Sequence, residues 1–178
     1  GSTEDVFYNG VTADEMAGPY GVTKLGIEHV KNFVTRGVLI DIAGYKGVEH
    51  LEHSYEVTVA DIRGALKKQG LSEDGIQEGD ALLFNYGWSR LWTDPDTYNS
   101  NPPGIGVEAG EWIISKKPSM IGSDQWCTEV VPGPDPKVAH PVHQELITKN
   151  GIFNLENMVF EELLADEGSY EFLFIFTP

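Results

Sequence analysis

Short apolar runs alternate with amphipathic stretches along this chain. Residues 38–43 (V-L-I-D-I-A), 81–86 (A-L-L-F-N-Y), 119–122 (S-M-I-G) and 170–176 (Y-E-F-L-F-I-F) read as strands, because they are brief, largely apolar and bounded by turn residues. Between them the apolar period lengthens. Leu25, Ile27, Val30 and Phe33 predict an amphipathic helix over residues 23–33. Thr58 with Asp61 three residues on has capping-box spacing, and the helix it opens, carrying Ile62 and Leu66, stops at Gly70. A third helix is expected over residues 107–116 around Ala109, Trp112, Ile113 and Ile114, and a brief one over residues 160–164. Pro141 suits a first turn, Leu146 and Ile147 supply an apolar stripe, and Asn150-Gly151 is a stop, so another helix is predicted over roughly residues 141–149. Strands alternating with helices in this way predict an α/β fold.

Two stretches read as loops. Residues 43–56 hold Gly44, Gly47 and alternating charges. Residues 93–106 hold Pro95, Pro102 and Pro103, so neither a helix nor a central strand is expected to run through them. The chain shows no internal repeat, low-complexity tract or domain boundary, and residues 1–178 are expected to form a single domain.

Charge narrows the partners. Twenty-eight acidic against twelve basic residues give a formal net charge of −16, which repels phosphate backbones and anionic membrane surfaces, so neither nucleic acid nor membrane is an expected partner. No run approaches the ~18 consecutive apolar residues of a membrane helix, and the default location is cytoplasmic. A single cysteine, Cys127, excludes an intramolecular disulfide and a cysteine-rich metal cluster.

The candidate chemistry concentrates in residues 139–156. On the predicted helix His140, His143 and Gln144 are spaced i, i+3 and i+4, which puts imidazole and amide groups on neighbouring positions, and Glu156 follows the stop. Imidazole and carboxylate are common ligands for zinc or manganese. A solvated helix start beside a surface glutamate reads from the same spacing. A second histidine pair, His50 and His53, sits among Glu49 and Glu52 in the 43–56 loop and reads as a surface or structural feature. Trp88 follows the 81–86 strand, at a strand end of the kind where sites in α/β sheets gather, and Asp124 and Trp126 stand after the 119–122 strand. Each of the three reads equally as core or turn.

The run A-H-P-V-H-Q-E-L-I-x-x-N-G-I-x-x-L-E-N from residue 139, with T-R-G-V-L-I-D-I-A, G-D-A-L-L-F-N-Y-G-W and I-G-S-D-Q-W before it, resembles the cyclase family of metal-dependent hydrolases. Kynurenine formamidase and isatin hydrolase are members of that family. The blocks occur in the family's order over nearly the whole chain. The resemblance implies a swivelling β/β/α domain, here truncated at both ends, and hydrolysis of a cyclic or aryl amide, lactam or lactone with a divalent metal, manganese or zinc. It implies His143, Gln144 and Glu156 as metal ligands, and Tyr8, Trp88, Asp124, Trp126 and His140 around a small-molecule substrate. It implies a homodimer or homotetramer. The family's H-x-G-T-x-x-D-x-x-x-H motif, with its general-base histidine, is expected upstream of Gly1. The alternative is a non-catalytic fragment of the same fold serving as a binding or assembly module.

Overall fold

The run F-V-T-R-G-V-L-I-D is dominated by apolar and β-branched residues, and it forms β1 (Phe33–Asp41) of a five-stranded sheet. The computed structural model describes residues 6–135, 137–166 and 168–178, the Tyr8 side chain excepted. After β1 come α1 (Ile42–Lys46), α2 (Val59–Lys68), β2 (Ala81–Asn85), α3 (Val107–Lys116), β3 (Met120–Ser123), α4 (Pro141–His143), β4 (Phe153–Leu155), α5 (Glu161–Ala165) and β5 (Glu171–Phe176). The spatial order is β4-β3-β2-β1-β5. β1, β2, β3 and β4 run parallel, with Leu39 opposite Leu83, Leu83 opposite Gly122, and Gly122 opposite Leu155. Their C-terminal ends therefore share one edge, which is where open α/β sheets place their sites.

The four predicted strands are present within a few residues of their expected bounds. β1 ends at Asp41 because the Asp41 side chain accepts the Gly44 N–H and caps α1. Strand-like residues Ile42 and Ala43 therefore belong to a helix, and the 43–56 stretch is only partly loop. Every residue of β2 is buried, as parallel strands covered on both faces require. Val38, Ile40, Leu82, Phe84 and Ile121 share one apolar cluster with Ile62, Leu66 and Ile113 of the helices. Thr58 and Asp61 form the expected capping box, and Asp61 pairs with Lys46 of α1, which fastens the two helices.

The helix predicted over residues 23–33 does not form. Leu25 and Lys31 hold positive φ, only a 3-10 turn spans Ile27–Val30, and Leu25 and Ile27 are exposed. Their apolar spacing thus has no core to face, and the β-branched run after Asn32 goes into β1 instead. In the 93–106 loop Asp94 caps a short helix at Pro95–Tyr98, and Gly104–Ile105 pairs with Glu56–Val57 as a two-stranded parallel ribbon. β4 was not expected from the sequence.

The chain divides into two compact units, residues 35–174 and residues 1–34 with 175–178. In the smaller one, the Thr12–Glu15 capping box starts a helix at Ala13–Met16, which leads into an antiparallel pair of Ala17–Gly18 with Gly21–Val22. The larger unit holds the chemistry described next. Among the described residues no helix is long and apolar enough to cross a membrane.

Candidate metal centre

The chain leaving β3 is folded back by one buried amide. Gln125 donates to the Pro103 and Glu129 carbonyls at 2.9 and 3.2 Å, and its own oxygen accepts the Cys127 N–H. Residues 128–129 are thereby laid against Gly104–Ile105, with the Ile105 N–H on the Thr128 carbonyl. The approach needs glycine, since a Cβ at position 104 would lie 2.3 Å from the Glu129 carbonyl carbon. Cys127 and Glu129 end up buried, facing the start of α4.

Glu129 organises that start. A helix leaves its first N–H groups without backbone partners, and the Glu129 carboxylate accepts two of them, Val142 at 3.0 Å and His143 at 3.1 Å. It also bonds Nδ1 of the His143 ring. Nε2 of the same ring lies 3.1 Å from the Glu156 carboxylate, which follows directly on β4. An imidazole between two carboxylates favours its charged form, and His143 is pushed up to about 9, chiefly by Glu129 and then by Glu156. His140 holds a left-handed backbone at φ 49 immediately before α4, which turns its ring toward the same place. Its Nδ1 is 3.2 Å from the Cys127 sulfur and 3.8 Å from Glu129. Burial, with the Glu129 and Glu156 charges behind it, raises the Cys127 thiol to about 12.

One donor atom from each of Cys127, Glu129, His140 and His143 lies within 4.8 Å of the others. Zinc bonds of about 2.0 to 2.3 Å place tetrahedral donors roughly 3.3 to 3.8 Å apart, so small rotations would close this set around one ion. Thiolate, imidazole and carboxylate are also zinc's ligand types, and the four residues fit a divalent metal.

The expected site residues divide accordingly. His143 and Glu156 are brought together, and His140 joins them. Gln144 is exposed, and its amide nitrogen donates to the Ala139 carbonyl at 3.1 Å, so the structure does not bring it to the cluster. Trp88 is fully buried, donates to the Tyr98 carbonyl at 2.9 Å, and packs T-shaped against the rings of His50 and His53. That contact gives the second histidine pair a packing role, and Gly87, with φ +74, lets the Glu49 carbonyl pass close beneath it. Asp124 is fully buried at the β3 end, where it accepts the Tyr86 and Ser89 N–H groups. Burial raises its carboxyl to about 6 against those donors. Trp126 is half-buried and packs against the core. The Tyr8 side chain lies outside the described residues. The crevice beside Glu129, His143 and Asn154 is too narrow to admit a water molecule.

Reading by residue type missed Cys127 and Glu129. Cysteine and carboxylate two residues apart, directly after a buried strand that delivers Asp124, were the available signal.

Four parallel strands thus deliver nitrogen, sulfur and carboxylate donors beyond their C-terminal ends, a set that fits a divalent metal. The cyclase family model, described as "Putative cyclase", matches residues 12–130, and the chain belongs to that family. A solved structure described as a novel cyclase is 34% identical, with a TM-score of 0.79 over 97% of this chain and 58% of that one. Isatin hydrolase A from Ralstonia solanacearum is 22% identical, with a TM-score of 0.57 over 76% of this chain and 50% of its own. An isatin hydrolase bound to the product analogue thioisatinate is 18% identical, with a TM-score of 0.60 over 73% of this chain and 49% of its own. These two similarities show the fold. The chain thus spans between about half and three fifths of these proteins. No curated protein sequence matches it.

Proposed function

We propose that this chain belongs to a metal-dependent hydrolase that opens a cyclic or aryl amide, lactam or lactone, with zinc as its metal. The observation that carries the reading is the convergence of Cys127, Glu129, His140 and His143 at the C-terminal edge of a cyclase-family sheet. Isatin hydrolases among its structural neighbours support the substrate class. A bound divalent ion supplies a Lewis acid and a water of lowered pKa, from ~15.7 towards ~7. The chain's own groups hold the geometry. Glu129 fixes the His143 ring and backbone together, Glu156 takes the far ring nitrogen, and His140, half-exposed, faces solvent from the same cluster. A thiol ligand favours zinc over manganese, which prefers oxygen donors.

The test is turnover of isatin, N-formylkynurenine and related lactams and lactones by the whole protein, before and after chelation and zinc return. Hydrolysis that chelation abolishes and zinc restores supports the proposal. A metal-replete protein inert to the whole panel would leave the second reading, a binding or assembly module of the same fold.

A further inference from the structure

Glu156 has a partner that neither the sequence pattern nor the metal cluster predicts. The Asn154 amide nitrogen lies 2.9 Å from Glu156 Oε1 and 3.4 Å from His143 Nε2. Asn154 stands in β4, two residues before Glu156, and alternate positions of an extended strand share a side. On its other side the Asn154 oxygen is 2.9 Å from the Thr128 hydroxyl, and that hydroxyl is 3.0 Å from the Ser123 hydroxyl. Ser123 and Thr128 are fully buried.

The direction of this chain follows from its end. A carboxylate only accepts, so the Asn154 group facing Glu156 is the NH2. Its oxygen then faces Thr128, which donates to it, and the Thr128 oxygen is left to accept from Ser123. No member can turn over without opposing two acceptors or two donors. Thr128 itself is held at φ 60, with its carbonyl taking the buried Tyr86 hydroxyl at 3.0 Å. The row runs from the end of β3 to the ring of His143.

We propose that Asn154 is a positioning residue. Aligned by Thr128 and Ser123, it sets the Glu156 carboxylate against His143 and thereby tunes metal capture at this centre. The inference rests on the proposed metal centre, and two readouts separate its failure from that of the centre. Isothermal titration of zinc into Asn154→Ala and Asn154→Leu is expected to give about 10- to 100-fold weaker binding than the parent, the range found when a group orienting a ligand is removed. Thr128→Val is expected to lie between, and Thr128→Ser to restore parental binding. Crystal structures of the metal-free parent and Asn154→Ala provide the second readout. Glu156 should leave hydrogen-bond distance of His143 in the variant alone. Parental zinc affinity in both Asn154 variants overturns the proposal while leaving the centre intact. If no form binds zinc, the metal centre fails, and the metal-free structures decide: a Glu156 that stays on His143 without Asn154 overturns the positioning role as well.

Discussion

The Glu129 carboxylate holds His143 twice, by the backbone N–H at 3.1 Å and by the ring Nδ1. One side chain thus caps a helix start and fixes the imidazole that the helix carries. The local structure and the site chemistry share a group, so neither can be altered alone.

Glu129→Gln keeps an oxygen for the helix N–H groups but removes the charge opposite the ring. The His143 pKa should fall from about 9 toward the ordinary imidazole value, because the carboxylate that most favours its charged form is gone. Loss of charge-assisted bonds should also cost roughly 2 kcal/mol of stability. Histidine NMR titration with urea denaturation checks both, and an unmoved His143 would contradict the assignment.

His143 also fixes a pH dependence for the metal-free chain. Its folded pKa of about 9 lies above the unfolded value of ~6.5, so the native state holds the proton more tightly. The stabilisation is complete below about pH 6.5 and is lost as pH rises through about 9. Urea midpoints should decline across that window, and His143→Ala should flatten the decline. Zinc binding should strengthen over the same range, since the ion competes with the ring proton. An alkaline slope unchanged in His143→Ala would assign it to another group.

Much of the sheet was legible because runs such as A-L-L-F-N are apolar, bounded by turn residues and too short for a helix. The Thr58 cap was legible because its partners are three residues apart. The 23–33 stretch misled because apolar spacing carries no information about whether a core exists to receive it, and Leu25 and Ile27 remain exposed. At the site, His143 and Glu156 were visible as types on adjoining elements. Glu129 was not, because its position depends on the Gln125 fold-back and on Gly104 admitting the chain, contacts between residues distant in sequence. Gln144 lay on the expected helix, yet i+4 spacing does not say which acceptor an amide will find, and it found Ala139.

Trp88 is enclosed on all sides, so truncation should destabilise rather than alter metal binding. Trp88→Ala is expected to cost about 3–5 kcal/mol. His50→Ala and His53→Ala, which remove one edge contact each, should cost about 0.5–1.5 kcal/mol. Denaturant unfolding measures these costs, and zinc titration of the two histidine variants should match the parent. Weakened zinc binding in either would move the second histidine pair into the site.

The ligand set can be decided by three substitutions. Family resemblance selects Gln144 beside His143 and Glu156, whereas the geometry selects Cys127, Glu129 and His140 around the same His143. Gln144 is exposed and bonded to a carbonyl in its own turn, so recruiting it requires breaking that bond and turning the side chain inward, for a neutral oxygen donor. Cys127 is already buried 3.2 Å from His140, and although its thiol sits near 12 without metal, coordination deprotonates a thiol outright. Gln144→Ala should therefore leave zinc affinity within about twofold of the parent. Cys127→Ser and Glu129→Ala should each weaken it by at least ~10-fold, because even removing a group that only orients a ligand costs about 10- to 100-fold. Cobalt substitution supplies an independent signature, a sulfur-to-cobalt charge-transfer band in the parent that Cys127→Ser abolishes and Gln144→Ala preserves. A parent without that band, together with a Gln144→Ala variant that binds zinc as weakly as Cys127→Ser was expected to, would return the site to the resemblance-derived set.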